Sequence, residues 1–573
     1  MDDIKLAMNR RRFIAGLSAA GVGSTLMPGA LAAVAQDADL VTVEMLETAQ
    51  RIAGLEFTEG ELASIAARLN RPGADRADFD TLRAAELGNA TQPALVFNPV
   101  PPGMRLPTDR RPMRRSTVQV SMPTSDEELA FLPVTHLARL IETRQITSSE
   151  LTRLYLERLR RYDPMLRCAV SITEDLARRQ AREADEEIAA GTYRGPLHGI
   201  PWGAKDLLAV RGTRTTWGAS PYREQVIDTD ATVYTRLREA GAVLIAKLSM
   251  GALASGDRWF GGRARNPWNP GQGASGSSAG PGAATAAGLV GFSIGTETRG
   301  SIMSPSTRNG VTGLRPTFGR VSRHGAMALS WSMDKIGPMC RSAEDCALVL
   351  DAIQGPDGRD NSVRDVPFNW DVDRDLGELR VGYLRESFDQ EVPENPENPD
   401  LAAGRRQRLS NNRAALQAIR RLGVRIEPFD LPDLPSGALG FILGTEAAAA
   451  FDVETLNGAL DGMRQPPEES RWPDSFRASR FVPAVEYLQA NRLRMRVIEE
   501  LHEALGDLDV FLGSSLGLTN LTGHPEVSLP NGFFRGSPTS LRMTGKLFGE
   551  AEMLRLAHAY QTATDHHLAH PAL

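Results

Sequence analysis

The chain has 573 residues, a net charge of −6 and 24% charged residues, which is length enough for one large domain or two smaller ones. The mild negative balance leaves no electrostatic footprint for nucleic acid, and no run beyond the N-terminus is apolar for long enough to expect stable membrane insertion. Three cysteines, Cys168, Cys340 and Cys346, exclude a disulfide framework; a Cys340–Cys346 bridge stays open, with buried thiols the favoured reading.

Asn9-Arg10-Arg11-Arg12-Phe13-Ile14 places arginines before a mildly apolar, Ala- and Gly-rich stretch that runs to Ala35, with Ala33-Val-Ala35 as a cleavage candidate. This is the twin-arginine export pattern. Residues 1–35 are therefore expected to be a signal peptide, with the twin-arginine export machinery as partner and a periplasmic or secreted location; an N-terminal membrane anchor is the alternative. Residues 36–132 are expected to be a helical extension and linker. Thr58-Glu-Gly-Glu61 has capping-box spacing, followed by Leu62, Ile65, Ala66 and Leu69 on one face. Pro99, Pro101, Pro102, Pro107 and Pro112 then alternate with arginines, which predicts an extended segment on the surface.

The main domain is expected over 133–573. Leu137, Leu140 and Ile141 predict a short helix, and Thr147-Ser-Ser-Glu150 a second capping box ahead of Leu151, Leu154, Tyr155 and Leu159. Val233 to Ala240 predicts a helix, Gly241 stops it, and Val243-Leu-Ile-Ala246 predicts a buried strand. Ala414 to Leu422 followed by Val424-Arg-Ile426 repeats that order, and Leu379 to Tyr383 and Leu508 to Phe511 are further strand candidates. Such alternation argues an α/β fold with a mixed central β-sheet covered by helices on both faces, carrying the N-terminal helical extension. Residues 385–412, polar and rich in Pro and Asn, are expected to form a surface excursion. The tail histidines His566, His567 and His570 suggest a frayed terminus rather than a metal site.

Residues 271–313 are rich in Gly, Ser and Ala. A flexible loop is one reading. A phosphate cradle is disfavoured because no Gly-Lys-Ser/Thr follows. A third reading is a catalytic scaffold, where small residues let the main chain approach a substrate with its N–H groups free. Ala283 to Ala287 is helix-compatible and Leu289 to Ile294 can be a strand, placing Ser301 just past a strand end. Upstream, Lys205 follows Ile200, Pro201, Trp202 and Ala204, apolar company that would desolvate it. To act as a base it must be neutral, about three units below its free pKa near 10.4. The alternative is a surface pair with Asp206. Ser277, read alone, could equally be an ordinary loop serine.

The ordered segments Gly195-Pro-Leu-His-Gly-Ile-Pro-Trp-Gly-Ala-Lys205-Asp206, Gly276-Ser277-Ser278-Ala-Gly280, Gly295-Thr-Glu-Thr-Arg-Gly-Ser301-Ile, Asn309-Gly-Val-Thr-Gly-Leu-Arg-Pro316 and Asp334-Lys-Ile-Gly-Pro338 resemble the amidase signature family, from about Pro133 onward. The resemblance implies Ser301 as nucleophile, Ser277 as relay serine on a cis peptide bond, and Lys205 as base. It also implies the backbone N–H groups of Thr298, Arg299, Gly300 and Ser301 as oxyanion donors, with Ser278 also among the oxyanion and substrate-binding residues. It further implies a small-molecule amide substrate and neither cofactor nor metal. Two places depart from it. Glu297 and Arg299 stand where many members carry Asp and Gly, and Leu248-Ser249-Met250 replaces an asparagine-containing motif. Arg299 either points toward the substrate and favours a carboxylate or polar group, or turns away into a structural ion pair. Met327, Leu329, Trp331, Phe441 and Leu518 are candidates for the pocket's far wall, with packing in the core as the other and favoured reading. Residues 42–70, through Ile52 to Leu62 and Ala67 to Asn70, resemble the small third subunit of the bacterial glutamyl-tRNA amidotransferase, implying that 36–132 wraps the core. The function expected is amide hydrolysis by an exported enzyme. The alternatives are a non-catalytic binding protein and a glutamine-hydrolysing subunit of the amidotransferase type. A homodimer is left open.

Overall fold

A computed structural model describes residues 40–71, 82–395, 397–463 and 472–573. The twin-arginine segment lies outside them. The chain divides into two compact units: residues up to Leu87 with Phe481–Pro483, and Gly88–Arg480 with Ala484–Leu573. The smaller unit holds helices Val43–Ala53 and Glu59–Leu69. Thr42 caps the first, and Gly54 ends it at φ +66°, where a residue without Cβ is unstrained. Thr58 and Glu61 form the capping box that opens the second, which buries Leu62 and Ala66. Asn70 exchanges two hydrogen bonds with the main chain of Val41, both at 2.9 Å, and so ties the ends of this helix pair together.

The larger unit is built on one 11-stranded sheet. Its strands in chain order are β1 (Ala169–Ile172), β2 (Pro201–Lys205), β3 (Val243–Leu248), β4 (Phe292–Glu297), β5 (Thr312–Arg315), β6 (Lys335–Cys340), β7 (Arg380–Leu384), β8 (Arg425–Phe429), β9 (Val510–Leu512), β10 (Glu526–Phe534) and β11 (Ser537–Gly545). Their spatial order is β1-β3-β2-β4-β6-β5-β10-β11-β9-β7-β8. β2 runs parallel to β3 and β4, β7 runs parallel to β8 and β9, and the other pairings are antiparallel. The sheet is therefore mixed, as the alternating pattern predicts. Every residue of β2, β3, β4 and β6 is buried, which explains why β3 reads as a near-continuous apolar run rather than an alternation. Trp202 of β2 stacks on Phe292 of β4 with ring centroids 6.0 Å apart. Among the described residues no helix is long and apolar enough to cross a membrane.

The second capping box forms as its spacing predicts: Thr147 and Glu150 open the helix Ser148–Leu166, which buries Leu151, Leu154, Tyr155 and Leu159. Three expectations need correction. The strand expected over 289–294 runs from Phe292 to Glu297, because the helix Ala279–Ala286 is followed by a turn that uses Leu289 and Val290. The excursion expected over 385–412 ends early: Asn398 caps a helix Pro399–Arg421 through the N–H of Leu401, and Pro399 occupies the first turn, where its missing N–H costs nothing. The C-terminal tail is packed, not frayed, since His570 stacks on Phe131 at 3.9 Å between centroids. All three cysteines are buried free thiols.

Candidate active site

Lys205 is the last residue of β2 and is fully buried. Its Nζ lies 2.8 Å from Ser277 Oγ, 3.0 Å from Ser278 Oγ, 2.9 Å from Thr296 Oγ1 and 3.3 Å from the Thr296 carbonyl. Burial lowers its pKa to about 7, against the charges of Asp334 and Glu297, which raise it. The surface pair with Asp206 does not form. Asp206 is buried as well, and its carboxylate pairs with Lys247 at 3.0 Å and accepts the Thr216 N–H at 2.9 Å. Lys205 thus keeps hydroxyl and carbonyl partners only.

The Gly276–Ser277 peptide bond is cis. Only glycine fits at 276, because a Cβ there would stand 1.7 Å from the Gly256 carbonyl oxygen. Ser277 and Ser278 lead into the helix Ala279–Ala286, and Ser249, in the departing motif, receives the Gly280 N–H on its carbonyl at 2.8 Å. The Ser278 N–H donates to the Ser301 carbonyl at 3.1 Å, which joins this stretch to the end of β4. Ser278 departs from its expected place among substrate contacts. It is fully buried, its hydroxyl donates to the Thr296 carbonyl, and it accepts from Lys205 and from the Thr296 N–H. A hydroxyl has one donor and two acceptor sites, so nothing is left for a ligand.

Past β4 the chain turns through Thr298, Arg299, Gly300 and Ser301 into the helix Met303–Asn309. Gly300 has φ +89°, a left-handed conformation that suits a residue without Cβ. Glu297 sets this turn. Its carboxylate accepts the N–H groups of Ile302 at 2.7 Å and Met303 at 2.9 Å, and it is held by Arg315 at 2.8 Å and Asn520 at 2.9 Å. Burial alone would raise its pKa, but Arg315 and these donors bring it down to about 2. The N–H groups of Thr298, Arg299, Gly300 and Ser301 find no acceptor among the described residues. Four consecutive unpaired donors on one turn are the groups an oxyanion needs. Ser301 is 9% exposed, and its Oγ makes no hydrogen bond among the described residues. Thr298 donates its hydroxyl to Asp334, whose pKa burial raises.

A family model described as Amidase matches residues 150–516. The chain belongs to the amidase family. It is 33% identical to the A subunit of a glutamyl-tRNA(Gln) amidotransferase from Methylococcus capsulatus over 486 residues, which cover 76% of this chain and 98% of that protein. It is similar to the peptide amidase of Stenotrophomonas maltophilia, with 28% identity and a TM-score of 0.65 over 76% of this chain and 97% of that one. A Bacillus anthracis amidase family protein, 24% identical with a TM-score of 0.67 over 78% of this chain and 94% of that one, shares the fold. Both the amidase signature resemblance and the mixed α/β architecture are thereby shown, and with them an enzyme that acts on carbon–nitrogen bonds.

In this amidase family chain a cavity of ≈ 350 Å³ opens beside Thr296 and Thr298. Met327, Leu329 and Trp331 line it, joined by Leu207 and Trp217. Phe441 and Leu518 do not; they belong to a separate apolar cluster with Leu439 and Ile442. Arg299 is exposed, and among the described residues it makes neither ion pair nor side-chain hydrogen bond, so the expected structural pairing is not found. A Cβ at Gly440 would stand 3.5 Å from one terminal nitrogen of its guanidinium, and one at Gly517 3.6 Å from the other. Thr296 escaped the sequence reading, because only the sheet register brings it level with Lys205: Ala204 of β2 pairs with Ile294 of β4. Asn520, far along the chain, carries no local pattern that would tie it to Glu297.

Proposed function

We propose that this chain hydrolyses the carbon–nitrogen bond of a small or medium amide through an acyl-enzyme on Ser301. The reading rests on one observation, a buried amine whose pKa burial brings down to about 7, in contact with Ser277 beside a turn with four unpaired N–H groups. With Lys205 neutral, its hydrogens go to Ser278 and Thr296 and its lone pair is free to accept from Ser277. Ser301 Oγ attacks the carbonyl carbon. Its proton passes to Ser277 Oγ as the Ser277 proton passes to Lys205 Nζ. The carbonyl oxygen becomes an oxyanion received by the N–H groups of Arg299, Gly300 and Ser301, each such donor being worth about a hundredfold to a thousandfold in rate. The C–N bond then breaks, the amine takes the proton back through Ser277, and water repeats the sequence on the ester. The Ser277–Ser301 hydroxyl contact is the one that a bound carbonyl would draw in, since catalytic hydrogen bonds tighten in the Michaelis complex.

The arginine run Arg10–Arg12, which fits the twin-arginine pattern, supports an enzyme that works outside the cytoplasm. A second reading has a specific observation behind it. The 33% identity to a glutamyl-tRNA(Gln) amidotransferase component favours glutamine hydrolysis with ammonia passed to a partner. One experiment separates the readings: an amide library scored for amine and ammonia release by the mature protein, beside Ser301→Ala, with fluorophosphonate labelling of Ser301. Hydrolysis by the lone chain supports the first reading. Ammonia release from glutamine only with an added partner protein supports the second, and absence of labelling and turnover removes both.

A further inference from the structure

We infer that Arg299 selects amides bearing a carboxylate within a few bonds of the scissile carbonyl; this rests on the hydrolase reading above. Arg299 lies two residues before Ser301, and its own N–H is one of the four unpaired donors of the turn. The side chain therefore leaves the same turn that would hold the carbonyl oxygen. Its guanidinium makes no ion pair or hydrogen bond among the described residues. It reaches across to the main chain at Gly440 and Gly517, at the starts of the helices Phe441–Ala450 and Leu516–Thr522.

Four other arginines near the centre of the fold show what a structural role looks like in this protein. Arg315 holds Glu297 and Glu526, Arg320 holds Glu550, Arg323 holds Asp360, and Arg494 donates to the Leu521 and Ser332 main chain. Arg315, Arg320 and Arg494 are fully buried. Arg299 is exposed and has no such partner among the described residues. Guanidinium presents a planar fork of donors that fits a carboxylate in two parallel bonds. A fork left open on the turn that carries the candidate nucleophile is placed to take the acidic end of a substrate.

The test uses two anilides that differ only in a terminal carboxylate or carboxamide, assayed on the mature protein. Wild type is expected to favour the acid in kcat/KM, and that preference is expected to shrink with added salt as the exposed charge is screened. Arg299→Gln is expected to lower the acid-to-carboxamide ratio by roughly tenfold to a hundredfold, the range of a charge-assisted pair, and Arg299→Glu to invert it. Because the readout is a ratio, a general loss of active enzyme does not move it; fluorophosphonate titration counts the active sites. A ratio unchanged in Arg299→Gln, or a wild type indifferent to the carboxylate, overturns the inference while hydrolysis of the carboxamide keeps the parent reading. Should the variants fail to fold, inhibition of wild type by the carboxylate product against its carboxamide decides instead. Equal inhibition by the two overturns the inference. If wild type hydrolyses neither anilide and Ser301 is not labelled, the hydrolase reading fails and this inference with it.

Discussion

Lys205 Nζ stands 2.8 Å from Ser277 Oγ, while Asp206, its neighbour in sequence, turns its carboxylate to Lys247. The lysine is thereby left in a buried place with no anion in contact, and burial brings its pKa down to about 7 from an ordinary 10.5. A general base works only when deprotonated, so kcat/KM is expected to rise with pH through an apparent pKa of about 7 and to level off above it. Lys205→Arg keeps the charge but cannot shed it, and is expected to lose about a hundredfold to ten-thousandfold in rate at every pH. A profile whose acid limb lies below pH 5, or a Lys205→Arg enzyme near wild-type activity, would contradict the role.

Ser277 and Ser301 act on one proton in the proposed mechanism, so their losses are not expected to add. Ser301→Ala and Ser277→Ala are each expected to lower kcat by about a thousandfold or more, and the double variant to be little worse than either alone. Fluorophosphonate is expected to label wild type at Ser301 and Ser277→Ala much more slowly. Multiplying losses in the double variant would mean that the two hydroxyls work independently.

Glu297 offers a test through stability. Its folded pKa is about 2 against an ordinary 4.5, with Arg315 as the main stabilising partner against the cost of burial. A carboxylate depressed in this way contributes its full stabilisation above about pH 4.5 and loses it as pH falls toward 2. Wild type should therefore lose stability over that acid window more steeply than Glu297→Gln, which has no charge to titrate there. Glu297→Ala leaves Arg315 buried beside Glu526 alone and is expected to cost about 3 to 5 kcal/mol. It also frees the N–H groups of Ile302 and Met303, so the turn should loosen and activity fall with stability. Denaturant midpoints from pH 2 to 7 check the first expectation, and identical acid slopes for wild type and Glu297→Gln would rule it out.

Much of this site was legible because its residues sit in contiguous, ordered motifs. Lys205 announced itself by apolar neighbours, and those neighbours became a buried strand. The Gly-rich stretch after 271 announced a main chain packed closely against something, and Gly276 shows what: another main chain, at a distance no side chain tolerates. The pieces that stayed hidden belong to other parts of the chain. Thr296 reaches Lys205 through sheet register, and Asn520 reaches Glu297 across more than 200 residues, at |i−j| of 223. Phe441 and Leu518 look like any pocket wall in sequence, since packing against a neighbouring cluster leaves the same apolar signature as lining a cavity. The helix Pro399–Arg421 is legible in its second half, over Ala414 to Arg421, but its first half is hidden: its residues are mostly polar, and its cap, Asn398 before Pro399, lies inside a Pro- and Asn-rich run that resembles a loop.

The cavity beside Thr296 and Thr298 gives the last expectation. Leu207, Trp217, Met327, Leu329 and Trp331 give it apolar walls, and ≈ 350 Å³ is room for a compact aryl or branched alkyl group. If one side of the scissile amide is seated there, a side chain that occupies the space must discriminate among substrates by size. Ala328 lines the cavity and is not fully buried, so Ala328→Trp can project a ring into it without forcing the sheet apart. Its effect should be a KM raised by about tenfold or more for bulky acyl or aryl amides, as expected when a few methylene equivalents of apolar contact are lost. Acetamide-sized substrates should be changed far less. A uniform loss across sizes would place the cavity off the substrate path, and a preference for bulky amides that survives the substitution would mean that the group is held elsewhere.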